Sequence, residues 1–113
     1  MATASLTLDL DAIAANWRAL DRMTSAGVQT AAVVKADAYG HGAIEVAKTV
    51  LANGATWLAV ATVPEGMELR QSGITAPILL LGAAHSPEQI AAIEQWQLQP
   101  TIVSSDQAAL FQK

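Results

Sequence analysis

The stretch TAAVVKADAYGHGA, residues 30–43, places a lysine at the end of a short apolar run. The run from Thr30 to Lys35 is rich in small and β-branched residues and is followed by glycines, which predicts a buried strand ending in a turn. Alternation along a strand puts Lys35 on the same face as Ala31 and Val33. A buried strand that ends in a lysine is the feature from which both the fold and the chemistry are inferred.

Composition narrows the class of protein. The chain has 113 residues, of which 52% are hydrophobic and 14% charged, so one domain with a real core is expected rather than a disordered chain. The net charge of −4 provides no basic surface for nucleic acid. The absence of cysteine excludes disulfides, thiolate catalysis and cysteine metal sites.

The same residues predict a soluble, cytoplasmic protein without membrane contact. The N-terminus lacks the basic and apolar regions of a signal peptide. The longest uncharged apolar stretch, SGITAPILLLGAA, is interrupted by Pro77 and is shorter than the roughly 18 residues of a membrane span.

Short apolar runs alternate with segments of helical periodicity. Five strands are predicted, at Ser5–Leu10, Thr30–Lys35, Trp57–Ala61, Pro77–Leu81 and Gln99–Val103. The helices between them begin at capping residues and end near glycine or before the next strand. They are predicted from Asp9 or Asp11 to about Ser25, from His41 to Asn53, from Thr62 to Gly73, from Ser86 to Trp96, and from Ser104 or Ser105 onwards.

After the first strand, each strand is followed by a helix, which predicts about four βα units and a parallel sheet covered by helices. A doubly wound sheet and a (β/α)₈ barrel both have this order, and periodicity does not separate them. A complete barrel needs roughly 250 residues, and the last helix is shorter than the usual three turns. The chain is therefore expected to be a piece of a larger protein.

Lys35 is the main candidate for chemistry. If its face is a barrel interior, it lies at the carboxyl end of the strands, where barrel enzymes place their active sites. Partial removal from water favours the neutral, nucleophilic amine and hence Schiff-base chemistry. The alternative is an ordinary lysine at a strand end with its ammonium group in water.

The other polar residues are less informative. Tyr39, the only tyrosine, is either a surface aromatic or a ligand contact. Gly40 and Gly42 provide either turn geometry or close backbone approach to an anion. His41 is expected to orient this loop and His85 to be solvated. Two histidines without carboxylates at ligand spacing predict no metal site.

The motif VVKADAYGHG, residues 33–42, resembles the pyridoxal-phosphate lysine motif of alanine racemases. The segments LTLDLDAIAANW, NGATWLAVATVPEGMELRQSGITAPILLLG and QPTIV follow in the order found in that family, so the resemblance covers essentially the whole chain. Basic amino acid decarboxylases share a lysine at a strand end but not the tyrosine-glycine-histidine continuation. Asp37 stands where many family members have asparagine.

The resemblance implies a (β/α)₈ barrel followed by a β-rich domain, with residues 1–113 as the N-terminal fragment of the cofactor-binding barrel. Ser5–Leu10 would pair with strands of that second domain, which this chain lacks. Lys35 would hold pyridoxal 5'-phosphate as an internal aldimine, and Tyr39 would hydrogen-bond its phosphate. Val33 and Leu81 would line the cofactor cavity.

The resemblance also implies an activity: interconversion of L-alanine and D-alanine, which supplies D-alanine for peptidoglycan, by a homodimer. The second acid-base tyrosine, contributed by the partner subunit, and the arginine beside the pyridine nitrogen would lie beyond residue 113. The fragment alone is therefore expected to be inactive and to associate with the remaining half of the barrel or with a second copy. The alternatives are another pyridoxal-phosphate barrel enzyme, such as an aldolase or decarboxylase, or a non-catalytic, self-associating half-barrel.

Overall fold

The computed structural model describes residues 4–112, and its centre is a three-stranded parallel sheet. The strands are β1 (Ala31–Val33), β2 (Trp57–Val60) and β3 (Ile78–Leu80). In the pairing register, Val33 lies beside Ala59, and Ala59 lies beside Leu79.

Six helical segments accompany the sheet. They are α1 (Leu10–Asp21), α2 (Lys35–Tyr39), α3 (Ala43–Ala52), α4 (Val63–Gln71), α5 (Pro87–Gln95) and α6 (Ser105–Leu110). Four of these helices start at an N-cap residue whose side chain accepts an otherwise unpaired N–H group. Asp9 caps α1, Ser104 caps α6, and capping boxes of Thr62 with Glu65 and Ser86 with Gln89 open α4 and α5.

The strand order separates the two architectures that periodicity left open. The order is β1-β2-β3, and Gln99 adds a parallel bridge on the far side of Leu79. A doubly wound sheet reverses direction at a switch point, whereas a barrel adds each new strand on the same side. When every crossover is right-handed and each new strand is added on the same side of the sheet, the connecting helices all lie on one face of the sheet. The sheet therefore has the topology of a barrel segment.

Burial distinguishes the two faces of the sheet. Ala32 and Val34 are buried with the helix-facing side chains of the other strands, including Leu58, Val60, Ile78 and Leu80. Ala31 and Val33 on the opposite face are exposed, Val33 by 41%. The predicted alternation is thus confirmed for residues 31–34. The predicted strand Thr30–Lys35 is shorter in the structure, because the backbone leaves the extended conformation at Val34 and Lys35 opens α2.

Two predicted strands are corrected by the structure. Ser5–Leu10 is not a strand: residues 4–9 lie outside helices and strands, and Leu10 already belongs to α1. Gln99–Val103 is reduced to the single bridge at Gln99. The backbone N–H and C=O groups of a strand must pair with another strand. Among the described residues no strand pairs with Ser5–Leu10, and only β3 pairs with Gln99–Val103, at a single residue.

The amino-terminal end of the sheet is tied together by Arg70 of α4. Its guanidinium donates to the carbonyl oxygens of four residues before β3 and after α5: Ile74, Ala76, Trp96 and Gln97. Burial lowers the pKa of Arg70, although a guanidinium remains charged throughout the physiological range. These four bonds join the segments before β3 and after α5 at the amino-terminal end of the sheet.

Candidate functional site

Lys35 lies two residues beyond the carboxyl end of β1, as the first residue of α2. The parallel ladder continues as far as Val34, whose N–H donates to the carbonyl oxygen of Ala59 at 2.9 Å. Counting two residues on in the register places Lys35 opposite Ala61 and Leu81, which follow β2 and β3. The lysine side chain is half-buried at this end of the sheet.

The chain leaves β1 through α2, which is a left-handed turn and not an ordinary α-helix. The sequence did not predict this turn. Four consecutive non-glycine residues, from Ala36 to Tyr39, have φ between 52° and 57°. A left-handed conformation costs roughly 1–2 kcal/mol per L-residue, or about 4–8 kcal/mol over this turn. Strain of this size persists only where surrounding contacts hold it, and it concentrates at functional sites.

Backbone hydrogen bonds hold the turn from within. The N–H of Ala38 donates to the oxygen of Val34 at 3.0 Å, and the N–H of Gly40 donates to the oxygen of Ala36 at 3.2 Å. Gly40 has φ of 88° and so ends the turn in a conformation that suits glycine.

Asp37 joins the turn to the next helix. Its Oδ1 accepts a hydrogen bond from the N–H of Ala43 at 2.9 Å, and its carbonyl oxygen accepts from the N–H of Gly42 at 2.8 Å. The side chain thus caps α3, whose formal N-cap residue is a glycine without a side-chain acceptor. An asparagine could provide the same Oδ1 and also tolerates a left-handed conformation, which explains why either residue suits this position.

Glu65 holds the turn from outside. Its Oε2 accepts a hydrogen bond from the N–H of Ala36 at 2.6 Å, while its Oε1 accepts from the N–H groups of Ala61 at 2.8 Å and Thr62 at 2.9 Å. Burial opposes ionisation of this carboxyl, but the three N–H donors and the Thr62 side chain outweigh it, so the pKa of Glu65 is lowered. A carboxylate is thus built into the turn that follows Lys35.

The other residues singled out by the sequence lie at the same end of the sheet as Lys35. Val33 and Leu81 lie on its uncovered face and are exposed by 41% and 42%. Tyr39 ends the left-handed turn and is exposed by 61%. His41 lies just beyond, with its Nδ1 at 3.0 Å from the oxygen of Ala38, which fits a loop-orienting role.

Sequence reasoning missed the roles of Glu65 and Asp37. Glu65 was identified only as half of a capping box, because local spacing reveals its contact with Thr62 but not one with a residue 29 positions away. The residue type at Asp37 could have predicted its role, since aspartate tolerates left-handed turns and caps helices.

Among residues 4–112, no group of three His, Asp or Glu side chains is placed to hold a metal ion. No helix in this range is long and apolar enough to cross a bilayer.

The chain matches one family model, described as the alanine racemase N-terminal domain, over residues 8–113. The chain belongs to this family. It is 60% identical over 104 residues to an alanine racemase of Nostoc sp. and 56% identical over 104 residues to one of Synechocystis sp.. Each alignment covers 92% of this chain but only 27% and 28% of the relative.

Solved structures of the same family share the fold. An alanine racemase from E. faecalis superposes with a TM-score of 0.86 at 34% identity, over 92% of this chain and 28% of that one. A Bacillus anthracis alanine racemase with bound L-Ala-P gives 0.84 at 38% identity, over 94% of this chain and 29% of that one. The strand order and these superpositions together establish the N-terminal portion of a (β/α)₈ barrel.

Proposed function

We propose that residues 1–113 form the first part of the barrel domain of an alanine racemase and provide the lysine that binds pyridoxal 5'-phosphate. The observation that carries the proposal is the position of Lys35, just beyond the carboxyl end of the first barrel strand and next to the exposed Val33 and Leu81. The family membership supports the choice of reaction, and the length of the relatives supports a longer protein as the active form.

The residues at this end of the sheet fit such a cofactor. A primary amine is available at Lys35 for covalent attachment. The exposed Val33 and Leu81 present apolar surface toward the same space, while Ala59, between β1 and β3, adds little bulk. Tyr39 offers a hydroxyl that can donate to a phosphate oxygen. When bound, the cofactor supplies an electron sink for negative charge at the Cα of an amino acid.

The chain's own part in the reaction is to hold the cofactor and to move one proton. Lys35 Nζ attaches the cofactor and later exchanges a proton at the Cα of alanine. Tyr39 ends the left-handed turn that follows Lys35, so both side chains belong to one short segment at this end of the sheet. Val33 and Leu81 exclude water from the apolar side of the ligand.

Racemisation needs a second acid-base group, because a single base returns the proton to the face it left. The only tyrosine of this chain is Tyr39, which is assigned to the phosphate. We therefore propose that the second group comes from the rest of the protein, that the full-length form is a homodimer acting on alanine, and that the 113 residues alone are inactive. The bound L-Ala-P of the Bacillus anthracis relative is consistent with an alanine-sized substrate.

The test uses a racemase-length protein that begins with these 113 residues and continues with the remainder of the Nostoc sp. relative. Conversion of L-alanine to D-alanine is measured in the wild type, in Lys35→Ala and in the control Lys48→Ala, which changes an exposed lysine of α3. We expect conversion in the wild type and the control and none in Lys35→Ala. Release of carbon dioxide or an aldehyde in place of D-alanine would instead indicate a decarboxylase or an aldolase.

A further inference from the structure

The carboxylate of Glu65 makes one contact that its helix does not require. A capping-box glutamate reaches back to the N–H of its own N-cap residue, and Glu65 does so at Thr62 through Oε1. Its second oxygen instead accepts the N–H of Ala36, which is covalently bonded to the carbonyl of Lys35. One side chain therefore links the start of α4 to the peptide bond that follows the lysine.

The second capping box of the chain shows that this contact is additional. In α5, Gln89 occupies the position of Glu65, and its Oε1 accepts from the N–H groups of Ser86 at 3.3 Å and His85 at 3.1 Å. Those donors are the N-cap residue and its predecessor, as Thr62 and Ala61 are for Glu65. Only the contact with Ala36 has no counterpart in α5 among the described hydrogen bonds.

Ala36 needs an acceptor because the chain turns away from the sheet at this residue. The parallel ladder would continue from Val34 and Ala59 to a bond between the N–H of Ala36 and the oxygen of Ala61. The left-handed turn prevents this, and the first N–H groups of a helical turn lack partners within it. The Glu65 carboxylate supplies the missing acceptor, and bonds to an ionised acceptor are among the stronger ones.

We propose that Glu65 is a positioning residue for Lys35: by holding the Lys35–Ala36 peptide against the start of α4, it sets the direction in which the lysine side chain leaves β1. The proposal rests on the proposed function, in which Lys35 carries the cofactor. Errors of about 1 Å in the position of a reacting group can cost on the order of 100-fold in rate. Loss of this tether should therefore reduce turnover far more than substrate binding.

The experiment compares three variants in the racemase-length holoenzyme. Glu65→Ala removes all three acceptor contacts. Glu65→Gln keeps an amide oxygen for Thr62 and Ala61 but lacks a second acceptor for Ala36. Gln89→Ala is the matched control, because it removes the equivalent capping contacts of α5 without touching the turn.

Four quantities are measured: kcat, KM for alanine, the rate at which borohydride traps pyridoxal phosphate on Lys35, and hydrogen exchange of the peptide covering residues 34–42. For Glu65→Ala we expect roughly 10- to 100-fold lower kcat, KM within about 3-fold, slower trapping and faster exchange. Glu65→Gln should show the same changes in smaller degree, and Gln89→Ala should show none of them.

Two results would overturn the proposal. One is a Glu65→Gln protein with kcat, trapping rate and exchange equal to those of the wild type. The other is a Gln89→Ala protein that loses as much kcat as Glu65→Ala, which would make the effect one of general stability. If Glu65→Ala does not fold, the comparison of Glu65→Gln with Gln89→Ala decides the question. Racemisation that survives Lys35→Ala would defeat the proposed function instead, whatever the Glu65 variants show.

Discussion

Gly82 and Ala61 are in close backbone contact at the sheet edge where Lys35 leaves β1. The N–H of Gly82 donates to the oxygen of Ala61 at 3.1 Å, and a Cβ placed on Gly82 would clash with that oxygen. Since a backbone oxygen between two strands cannot move aside easily, this position requires glycine. The contact fixes the ends of β2 and β3 relative to each other beside the proposed site.

Gly82→Ala is expected to destabilise the protein by about 1–3 kcal/mol, the usual cost of overpacking. Urea unfolding of the racemase-length protein compares the variant with the wild type. A Gly82→Ala protein as stable as the wild type would contradict the close contact inferred at Gly82.

Lys35 is expected to be the covalent attachment point of the cofactor. Borohydride reduction followed by peptide mass mapping should place the label on the peptide containing Lys35. Lys35→Arg should lose activity nearly as completely as Lys35→Ala, because a guanidinium is effectively never a neutral nucleophile. Label on Lys48 would show that the assignment is wrong.

Tyr39→Phe is expected to weaken cofactor binding by about 1.5–3 kcal/mol, the value of one hydrogen bond to a charged group. Turnover at saturating cofactor should change much less. The measurement is an absorbance titration with pyridoxal 5'-phosphate. Pyridoxal, which lacks the phosphate, is the control ligand and should bind both proteins equally; an unchanged affinity for the phosphorylated form would argue against the phosphate contact.

The lowered pKa of Glu65 predicts how stability depends on pH. Burial acts to raise the pKa of Glu65. The hydrogen bonds from the N–H groups of Ala36, Ala61 and Thr62 and from the Thr62 hydroxyl lower it by a larger amount. A carboxyl whose pKa is lower in the folded state stabilises the fold above its unfolded pKa and loses that contribution as the pH falls through the folded value.

Thermal unfolding of the wild type and of Glu65→Gln is therefore compared from neutral pH down to about pH 3, below the ordinary glutamate range. The wild type should lose stability relative to the variant as the pH falls, since only the wild type has a carboxylate to protonate here. The charged neighbours of Ala36 in the chain, Lys35 and Asp37, are the same in both proteins. If the difference in stability between the wild type and Glu65→Gln does not vary with pH, this role of the carboxylate is contradicted.

The isolated 113-residue chain is expected to associate rather than remain a monomer. Among the described residues β1 pairs only with β2, which leaves one edge of its backbone open, and the sheet face that bears Ala31 and Val33 is exposed. Unpaired edges and exposed faces are rarely tolerated by parallel sheets. Association with the rest of the barrel is the expected outcome when that part is supplied as a separate chain, because its strands match the register.

Light scattering on the chain alone, and on the chain mixed with the separately expressed C-terminal remainder, measures this. We expect oligomers or aggregates in the first sample and a defined complex in the second. A stable monomer with a cooperative thermal transition in the first sample would contradict the half-barrel interpretation.

Much of the architecture was determined by local sequence. Capping residues such as Asp9, Thr62 and Ser86 predicted where helices begin, because a cap acts on N–H groups within three residues of it. The alternation of apolar residues predicted which side chains of β1 are buried against the helices. The resemblance carried by residues 33–42 indicated the family, which the family match confirms.

Features that depend on contacts between residues far apart in the sequence could be read only from the tertiary structure. The order of the strands separated a barrel from a doubly wound sheet, since periodicity describes single elements and not their neighbours. Ser5–Leu10 has the pattern of a strand but forms none here, because a strand exists only where another backbone pairs with it. The left-handed turn after Lys35 and its bond to Glu65 arise in the same way: nothing in the local preference of alanine favours φ near 50°, and the carboxylate that accepts the Ala36 N–H lies 29 residues further along the chain.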